Sequence, residues 1–291
     1  MVRILVCGDF QGVFPLKLRK KLDKEDFDLV IGVGDYGGVE EWRPFIMDMF
    51  RRLKKGEERI SPEEFFGKKK FKNLLKKDFE AAKNVLKQLD SFGKPTFIVF
   101  GNTDDDWYST PYFKEKRKEK HALFLKKLRN VKIINYGKKE FWGFDVIGFG
   151  GYMDIDAFFK KETFKSEREN IMKRYERHLK MRAKFFSLLK KTDKELPKIF
   201  VFHYPPKGIF DIIKDKKNPM DGESAGVRFY SEAIKKYKPV SVFCGHMHEY
   251  RGVKKLYNIP IINPGDGEKG KAAIVEIDDR IGKIKSVRFI G

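Results

Sequence analysis

Two imidazoles one residue apart, His246 and His248, follow the apolar run 239–243. Four earlier apolar runs also end in residues with metal-type donor atoms: Asp9 after 2–7, Asp35 after 29–33, Asn102 after 95–100, and His203 after 199–202. Carboxylates, one amide oxygen and imidazoles make a mixed O/N donor set that suits divalent Mn, Fe, Zn or Ni. A shared carboxylate can hold two such ions about 3.5–4 Å apart, the spacing that clamps both oxygens of an in-line phosphoryl displacement. Each residue alone has a plainer account. Aspartates after strands cap helices, Asn102-Thr103-Asp104 fits a turn, and two of five histidines can fall together by chance. Their joint occurrence, always at the end of an apolar run, is what points to a site.

These runs read as buried strands, and in open α/β sheets ligand sites gather outside the carboxyl ends of strands. The first two repeat one pattern: an apolar run, glycine, aspartate, then more glycine (Gly8-Asp9, Gly34-Asp35). The diproline Pro205-Pro206 fixes the backbone just beyond His203. Helices are expected at 15–24, across 40–92 with a break at 56–62, at 112–129, across 154–191 and around 230–237. Phe45, Met49 and Leu53, then Phe71, Leu74, Leu75, Phe79, Ala82, Leu86 and Leu89, recur at helical spacing. Short strands are expected at 131–134 and 144–149, and closing strands at 259–265, 272–277 and 284–289. Because the candidate donors run from residue 9 to residue 248, a cut anywhere between would divide the site. The expectation is therefore a single domain over 1–291, with helical insertions at about 40–92 and 154–191.

The chain carries 63 Lys+Arg against 42 Asp+Glu, a formal charge of +21. A Lys-loaded solvated surface is the first explanation; attraction of a nucleotide or nucleic acid is the second. Cys7 and Cys244 form no disulfide framework and no CxxC pair. Both read as small buried residues of a reducing compartment. No leader segment and no apolar run of membrane-spanning length is legible, so the expected location is cytoplasmic, without a membrane partner. The sequence does not speak to oligomeric state.

The motifs Asp9-Phe10-Gln11, Gly34-Asp35-Tyr36-Gly37, Gly101-Asn102-Thr103-Asp104, His203 and Gly245-His246-Met247-His248 stand in an order that resembles the calcineurin-like metallophosphoesterase family. That family's motifs are D-x-H, G-D-x-x, G-N-H-[ED], a lone H and G-H-x-H. Asn263-Pro264-Gly265 is similar to the family's ending, so the resemblance spans essentially the whole chain. It implies a four-layer α/β/β/α sandwich with two mixed β-sheets, and two divalent ions bridged by Asp35. Asp9, Gln11 and His248 would complete one ion's site, and Asn102, His203 and His246 the other. Two positions depart from the pattern. Gln11 stands where the family has a metal-binding histidine, which implies weaker binding of the first ion. Thr103 stands where the family has a histidine thought to protonate the leaving group or hold the phosphate. Threonine is no acid near neutral pH, and general acid catalysis is worth roughly 10²–10⁴-fold. Asp104, Asp105, Tyr204 or a water held by the ions are the substitutes on offer.

The leading expectation is a dinuclear hydrolase of phosphate esters, phosphodiesters before monoesters, using a metal-activated water, with Asp35, Asn102 and Asp104 as its catalytic residues. The alternatives are a metal-dependent nuclease drawn by the positive charge, or a binding scaffold that has lost catalysis. Tyr36, Trp107 and Tyr152 are candidates to stack on a base, and Ser224 and Gly226 to donate to phosphate. His121 and His178, in basic helical stretches, are expected at the surface.

Overall fold

Alternation along the strands sorts the apolar residues into three cores. Val2, Ile4 and Val6 of β1 (Val2–Cys7) meet Ile199 and Val201 of β7 (Lys198–Phe202) in one core, while Leu5 and Cys7, or Phe200 and Phe202, face outward into separate ones. Successive side chains of a strand point to opposite faces. Two sheets with both faces apolar must therefore be packed on each other and covered outside. The computed structural model describes residues 1–104, 124–160 and 168–291, with backbone alone for 168–170. It shows this arrangement.

The first sheet adds β2 (Leu29–Gly32), β3 (Thr96–Ile98), β4 (Val131–Ile133), β11 (Ala272–Asp278) and β12 (Lys283–Ile290), in the order β12-β11-β1-β2-β3-β4. The second contains β5 (Gly137–Phe141), β6 (Phe144–Phe149), β7, β8 (Ser241–Phe243), β9 (Gly252–Leu256) and β10 (Ile259–Asn263), in the order β5-β6-β7-β8-β10-β9. In each sheet four neighbouring strands run parallel: β1 to β4 in one, β6, β7, β8 and β10 in the other. The remaining strands pair antiparallel at the margins. Outside the first sheet lie α1 (Leu16–Leu22) and α4 (Lys68–Asp90). Outside the second lie α5 (Arg168–Lys190) and α6 (Arg228–Tyr237). Two further helices, α2 (Arg43–Lys55) and α3 (Pro62–Phe66), precede α4. The expected α/β/β/α sandwich with two mixed sheets is what the chain adopts.

Two strands have no counterpart in the sequence reading. Both β5 and β9 are edge strands whose middle residues are exposed and include Lys138, Lys139, Lys254 and Lys255. Lysine on an edge blocks pairing with another chain, and it also removes the apolar signal by which a strand is recognised. The stretch around 154 is a loop with a 3-10 turn at Asp156–Phe159 that buries Asp154 and Asp156; residues 161–167 lie outside the described residues, and α5 is described from Arg168. Of the expected helix 112–129, residues 112–123 lie outside the described residues, as do Asp105, Trp107 and His121. Among the described residues no helix is long and apolar enough to cross a membrane.

His178 is not at the surface. It is buried between Phe159 and Phe229, ring centroids 5.0 and 5.1 Å away, on the face of α5 turned toward the second sheet. Burial holds its pKa below the usual histidine value. Tyr36 is fully enclosed, donating its hydroxyl to the Val99 carbonyl at 3.1 Å, and so offers no face to a base. Ser224 is buried with its hydroxyl on Asp211 at 2.6 Å, so it is not a free phosphate donor. Tyr152 remains 40% exposed, with its hydroxyl accepting from Arg174 at 3.0 Å and the Arg177 guanidinium 5.8 Å above its ring.

Candidate metal centre

Parallel strands deliver their carboxyl ends to one side of a sheet, and the loops after β1, β2, β3, β7 and β8 meet there. Beyond the strand pairing, the loops after β1 and β2 continue to bond. Asp9 N–H donates to the Gly34 carbonyl at 2.9 Å, Phe10 and Gln11 N–H to that of Asp35 at 2.9 and 3.2 Å, and Gly12 N–H to that of Tyr36 at 3.0 Å. This register needs left-handed backbone at Asp9 (φ 53°), Gln11 (φ 46°) and Asp35 (φ 54°), and His246 shares it at φ 69°. Such conformations are uncommon outside glycine, and aspartate and histidine are among the residues that tolerate them. They turn the side chains of Asp9, Asp35 and His246 inward.

Both Asp9 oxygens accept the His246 N–H, at 3.0 and 3.1 Å, and Oδ1 lies 3.5 Å from His248 Nε2. That joins the first sheet to the second across 237 residues of sequence. The space is tight. A Cβ at Gly245 would fall 2.5 Å from Asp9 Oδ2, and one at Gly101 would overlap the Asp35 carboxylate. Glycine is required at both positions for the donors to converge.

His203 is fully buried with Nδ1 2.8 Å from the Val33 carbonyl. A carbonyl only accepts, so Nδ1 carries the hydrogen and Nε2 of the neutral ring presents a lone pair. That nitrogen faces Asn102 Oδ1 at 3.0 Å, His246 Nδ1 at 3.2 Å and Asp35 Oδ1 at 3.4 Å. Donor atoms of Asp35, His203 and His246 all lie within 4.8 Å of one another, and so do those of Asp9, Asp35 and His248. Asp35 belongs to both groups. This donor set fits two divalent cations sharing one carboxylate.

Electrostatics support the same use. Burial alone would raise the Asp35 carboxyl, but the His203 and His246 imidazoles and the Thr103 N–H hold it below its ordinary value. Burial, with His203 beside it, pushes His246 well below the usual histidine range, which keeps it neutral with a lone pair to give. Burial disfavours charge on His248 as well, but the Asp9 carboxylate prevails and raises it to about 9. A cation entering there displaces a proton.

The remaining predicted residues are placed as follows. Gln11 lies beside the carboxylate common to both groups, its Nε2 donating to Asp35 Oδ2 at 3.1 Å; to serve a cation it would present its carbonyl instead. Thr103 does not point away toward a leaving group. Its N–H and hydroxyl both donate to Asp35 Oδ1, at 3.1 and 2.9 Å. Asp104 is sealed: Oδ1 accepts the Tyr36 and Gly37 N–H groups at 3.0 and 3.2 Å, and Oδ2 that of Gly101 at 2.9 Å. Burial, with Asp35 close by, raises its pKa well above normal. The Tyr204 ring packs 4.1 Å from that of His246, and burial raises its hydroxyl well above the ordinary tyrosine value.

Two supporting residues were missed. Asp78 of α4 accepts the Gly38 and Val39 N–H groups at 2.6 and 2.9 Å, fixing the far end of the Asp35 loop. The signal was present, since position 78 belongs to the buried stripe with Phe71, Leu74, Leu75 and Ala82. A carboxylate in an apolar stripe calls for a partner. Asn135 accepts the Phe100 and Gly150 N–H groups at 3.2 and 3.0 Å, linking the ends of β3 and β6. Nothing in the sequence around it marks that role.

A family profile described as metallophosphoesterase, calcineurin superfamily, matches residues 1–288. The chain belongs to that family. Membership together with the paired Asp/His groups makes it a metal-dependent phosphoester hydrolase in the general sense. Three solved structures show the same fold. One, titled only as a crystal structure, is 19% identical with TM-score 0.64, covering 99% of each chain. TT1561 of Thermus thermophilus is 16% identical with TM-score 0.53, covering 99% of this chain and 98% of its own. Phosphopantetheinyl hydrolase (PptH) from Mycobacterium tuberculosis is 13% identical with TM-score 0.50, covering 92% and 90%. No curated protein matches the chain.

Proposed function

We propose that the protein hydrolyses phosphodiesters at a dinuclear centre, manganese being the first ion to test. The observation that carries the reading is Asp35, common to two donor groups whose atoms lie within 4.8 Å. Asp9 and His248, with Gln11 if its amide presents the carbonyl, would hold one ion; Asn102, His203 and His246 would hold the other. Such a pair supplies Lewis acidity toward the phosphoryl oxygens and lowers the pKa of water at the site. The chain's own residues do the rest. His203 is locked by Val33 in the tautomer that offers Nε2, and Thr103 holds Asp35 through two bonds. Asp104 acts as a positioning residue, because both its oxygens are occupied by backbone N–H groups and it is fully enclosed.

The preference for diesters rests on the slot after Asn102. Its threonine hydroxyl is committed to Asp35, so no imidazole protonates the leaving oxygen from there. The retained Asp35, Asn102 and three histidines argue against a retired scaffold, and net charge alone supports nucleic acid. The single-domain organisation belongs to the same proposal, since one site draws on residues 9 to 248. So does a cytoplasmic location, which suits the two buried free thiols Cys7 and Cys244.

The test is Mn²⁺-dependent hydrolysis of an aryl phosphodiester beside its monoester, with Asp35→Asn as control. The expected result is faster diester cleavage, falling by at least about 10²-fold in the variant, the scale of losing one transition-state stabilising group. Retention of most activity in Asp35→Asn would remove the bridging assignment, and faster monoester cleavage would remove the diester preference.

A further inference from the structure

Tyr204 stands in the chain between His203 and the diproline Pro205-Pro206. Its ring forms a wall of the half of the centre that His203 and His246 line. It lies 4.1 Å from the His246 ring and edge-on to that of His203 at 5.3 Å. The backbone around it is pinned. Gly245 N–H donates to the His203 carbonyl at 2.9 Å, and Val227 N–H to that of Pro205 at 3.0 Å.

Buried tyrosine hydroxyls normally find a partner. Tyr36 donates to the Val99 carbonyl at 3.1 Å, and Tyr230 to that of Phe149 at 2.7 Å. The Tyr204 side chain is buried too, yet its hydroxyl makes no hydrogen bond with any described residue. Nor is that oxygen sealed. Among the described residues, the enclosed side-chain polar atoms without a partner belong to His178, Ser241, Arg251 and Asp266. The surface that Tyr204 retains therefore includes its Oη. Phenylalanine would build the same wall without the cost of stripping water from a hydroxyl, so packing on His246 does not call for one. A buried ring thus ends in an open donor beside two candidate ligands.

We infer that the Tyr204 hydroxyl is a substrate contact, donating to a phosphoryl oxygen of the ester bound at the half of the centre lined by His203 and His246. The role is that of a neutral donor, since a phenol keeps its proton at neutral pH; no proton is transferred. A donor fixed in advance where charge gathers in the transition state needs no reorganisation at the moment of reaction. The diproline that follows supplies the fixity. The inference rests on the phosphoester reading above, and it adds a contact from the chain where Thr103 spends its hydroxyl on Asp35. The competing account is that the ring supports His246 while water alone satisfies the hydroxyl.

The experiment compares wild type with Tyr204→Phe, which keeps the ring on His246 and removes only the hydroxyl. Calorimetry reads Mn²⁺ affinity, the affinity of the Mn²⁺-loaded protein for inorganic phosphate, and the metal-free unfolding midpoint. Kinetics read kcat and KM for two aryl phosphodiesters whose leaving groups differ in acidity. The variant is expected to match wild type in Mn²⁺ affinity and midpoint, and to bind phosphate about tenfold more weakly, the scale of one hydrogen bond to a charged group. Its kcat/KM should fall by about 10²-fold for both esters. Wild-type rates and phosphate affinity in the variant would overturn the inference and leave the phosphoester reading standing. A rate loss that disappears at higher Mn²⁺, or one accompanied by a lowered metal-free midpoint, assigns Tyr204 to the support of His246 and overturns it as well. A loss that grows as the leaving group becomes less acidic moves the bond to the leaving oxygen and overturns the phosphoryl contact. Wild type that cleaves neither ester with Mn²⁺ bound overturns the phosphoester reading, and this inference with it.

Discussion

Thr103→Val separates two roles for the residue after Asn102. Valine keeps the branch and the backbone N–H bond to Asp35 Oδ1, and removes only the hydroxyl that donates to the same oxygen at 2.9 Å. A hydrogen bond to a charged group is worth about 1.5–3 kcal/mol net, so with one of two bonds surviving the loss should sit toward the lower end. Asp35 is common to both donor groups, so both ions should weaken, by roughly tenfold to thirtyfold at about 1.4 kcal/mol per factor of ten. Titration of the metal-stripped protein with Mn²⁺ reads that change directly. Diester hydrolysis at saturating Mn²⁺ should stay within a few-fold of wild type, because the ion pair is restored by mass action. Thr103→Ser, which keeps the hydroxyl, should behave as wild type in both assays. The opposite pattern, unchanged affinity with a large fall in kcat at saturating metal, would refute the reasoning. It would show that the hydroxyl serves the substrate instead of Asp35.

Two further outcomes follow from the same geometry. Mn²⁺ at a hundred times its Kd should stabilise the folded protein by about 2.7 kcal/mol per site, read as a rise of several degrees in the calorimetric midpoint over chelated protein; an unchanged midpoint would show that the converging donors gather no ion. For His178, burial depresses the folded-state pKa, so the unfolded chain takes up the proton first as pH falls. Its stabilising contribution is complete above the unfolded value near 6.5 and declines below it. His178→Phe should therefore flatten the fall in unfolding midpoint between about pH 7 and pH 5.5, and equal slopes in the two proteins would refute that origin.

Much of the site was legible because the donors terminate apolar runs, and an apolar run of β-branched and aromatic residues is a local signal. Asp9, Asp35, Asn102, His203, His246 and His248 could be found that way. What the side chains do once gathered was not legible. Thr103 could be placed next to Asn102 but not against Asp35, since their contact joins loops 68 residues apart. Asp104 stands beside the motif, and only the fold shows that three N–H groups reach its two oxygens. Edge strands β5 and β9 escaped for the reason that makes them safe edges, their exposed lysines. His178 was misjudged because its neighbours in sequence are charged, while its neighbours in space are Phe159 and Phe229.

The backbone at the centre explains why these loops are so constrained. Asp9, Gln11, Asp35 and His246 all hold positive φ, and each such residue costs of order 1–3 kcal/mol and persists only where its surroundings enforce it. Four together approach the net stability of a whole domain, about 5–15 kcal/mol. The enforcing contacts are visible: four backbone bonds between the Asp9 and Asp35 loops, and carboxylates of Asp78, Asp104 and Asp9 that accept seven N–H contacts from loops 36–39, 101 and 246. Buried acceptors of this kind serve no purpose in a bare core, where apolar side chains would pack at lower desolvation cost. The structure maintains these turns with buried charge, and three of the residues they carry, Asp9, Asp35 and His246, fall in the two groups whose donor atoms converge.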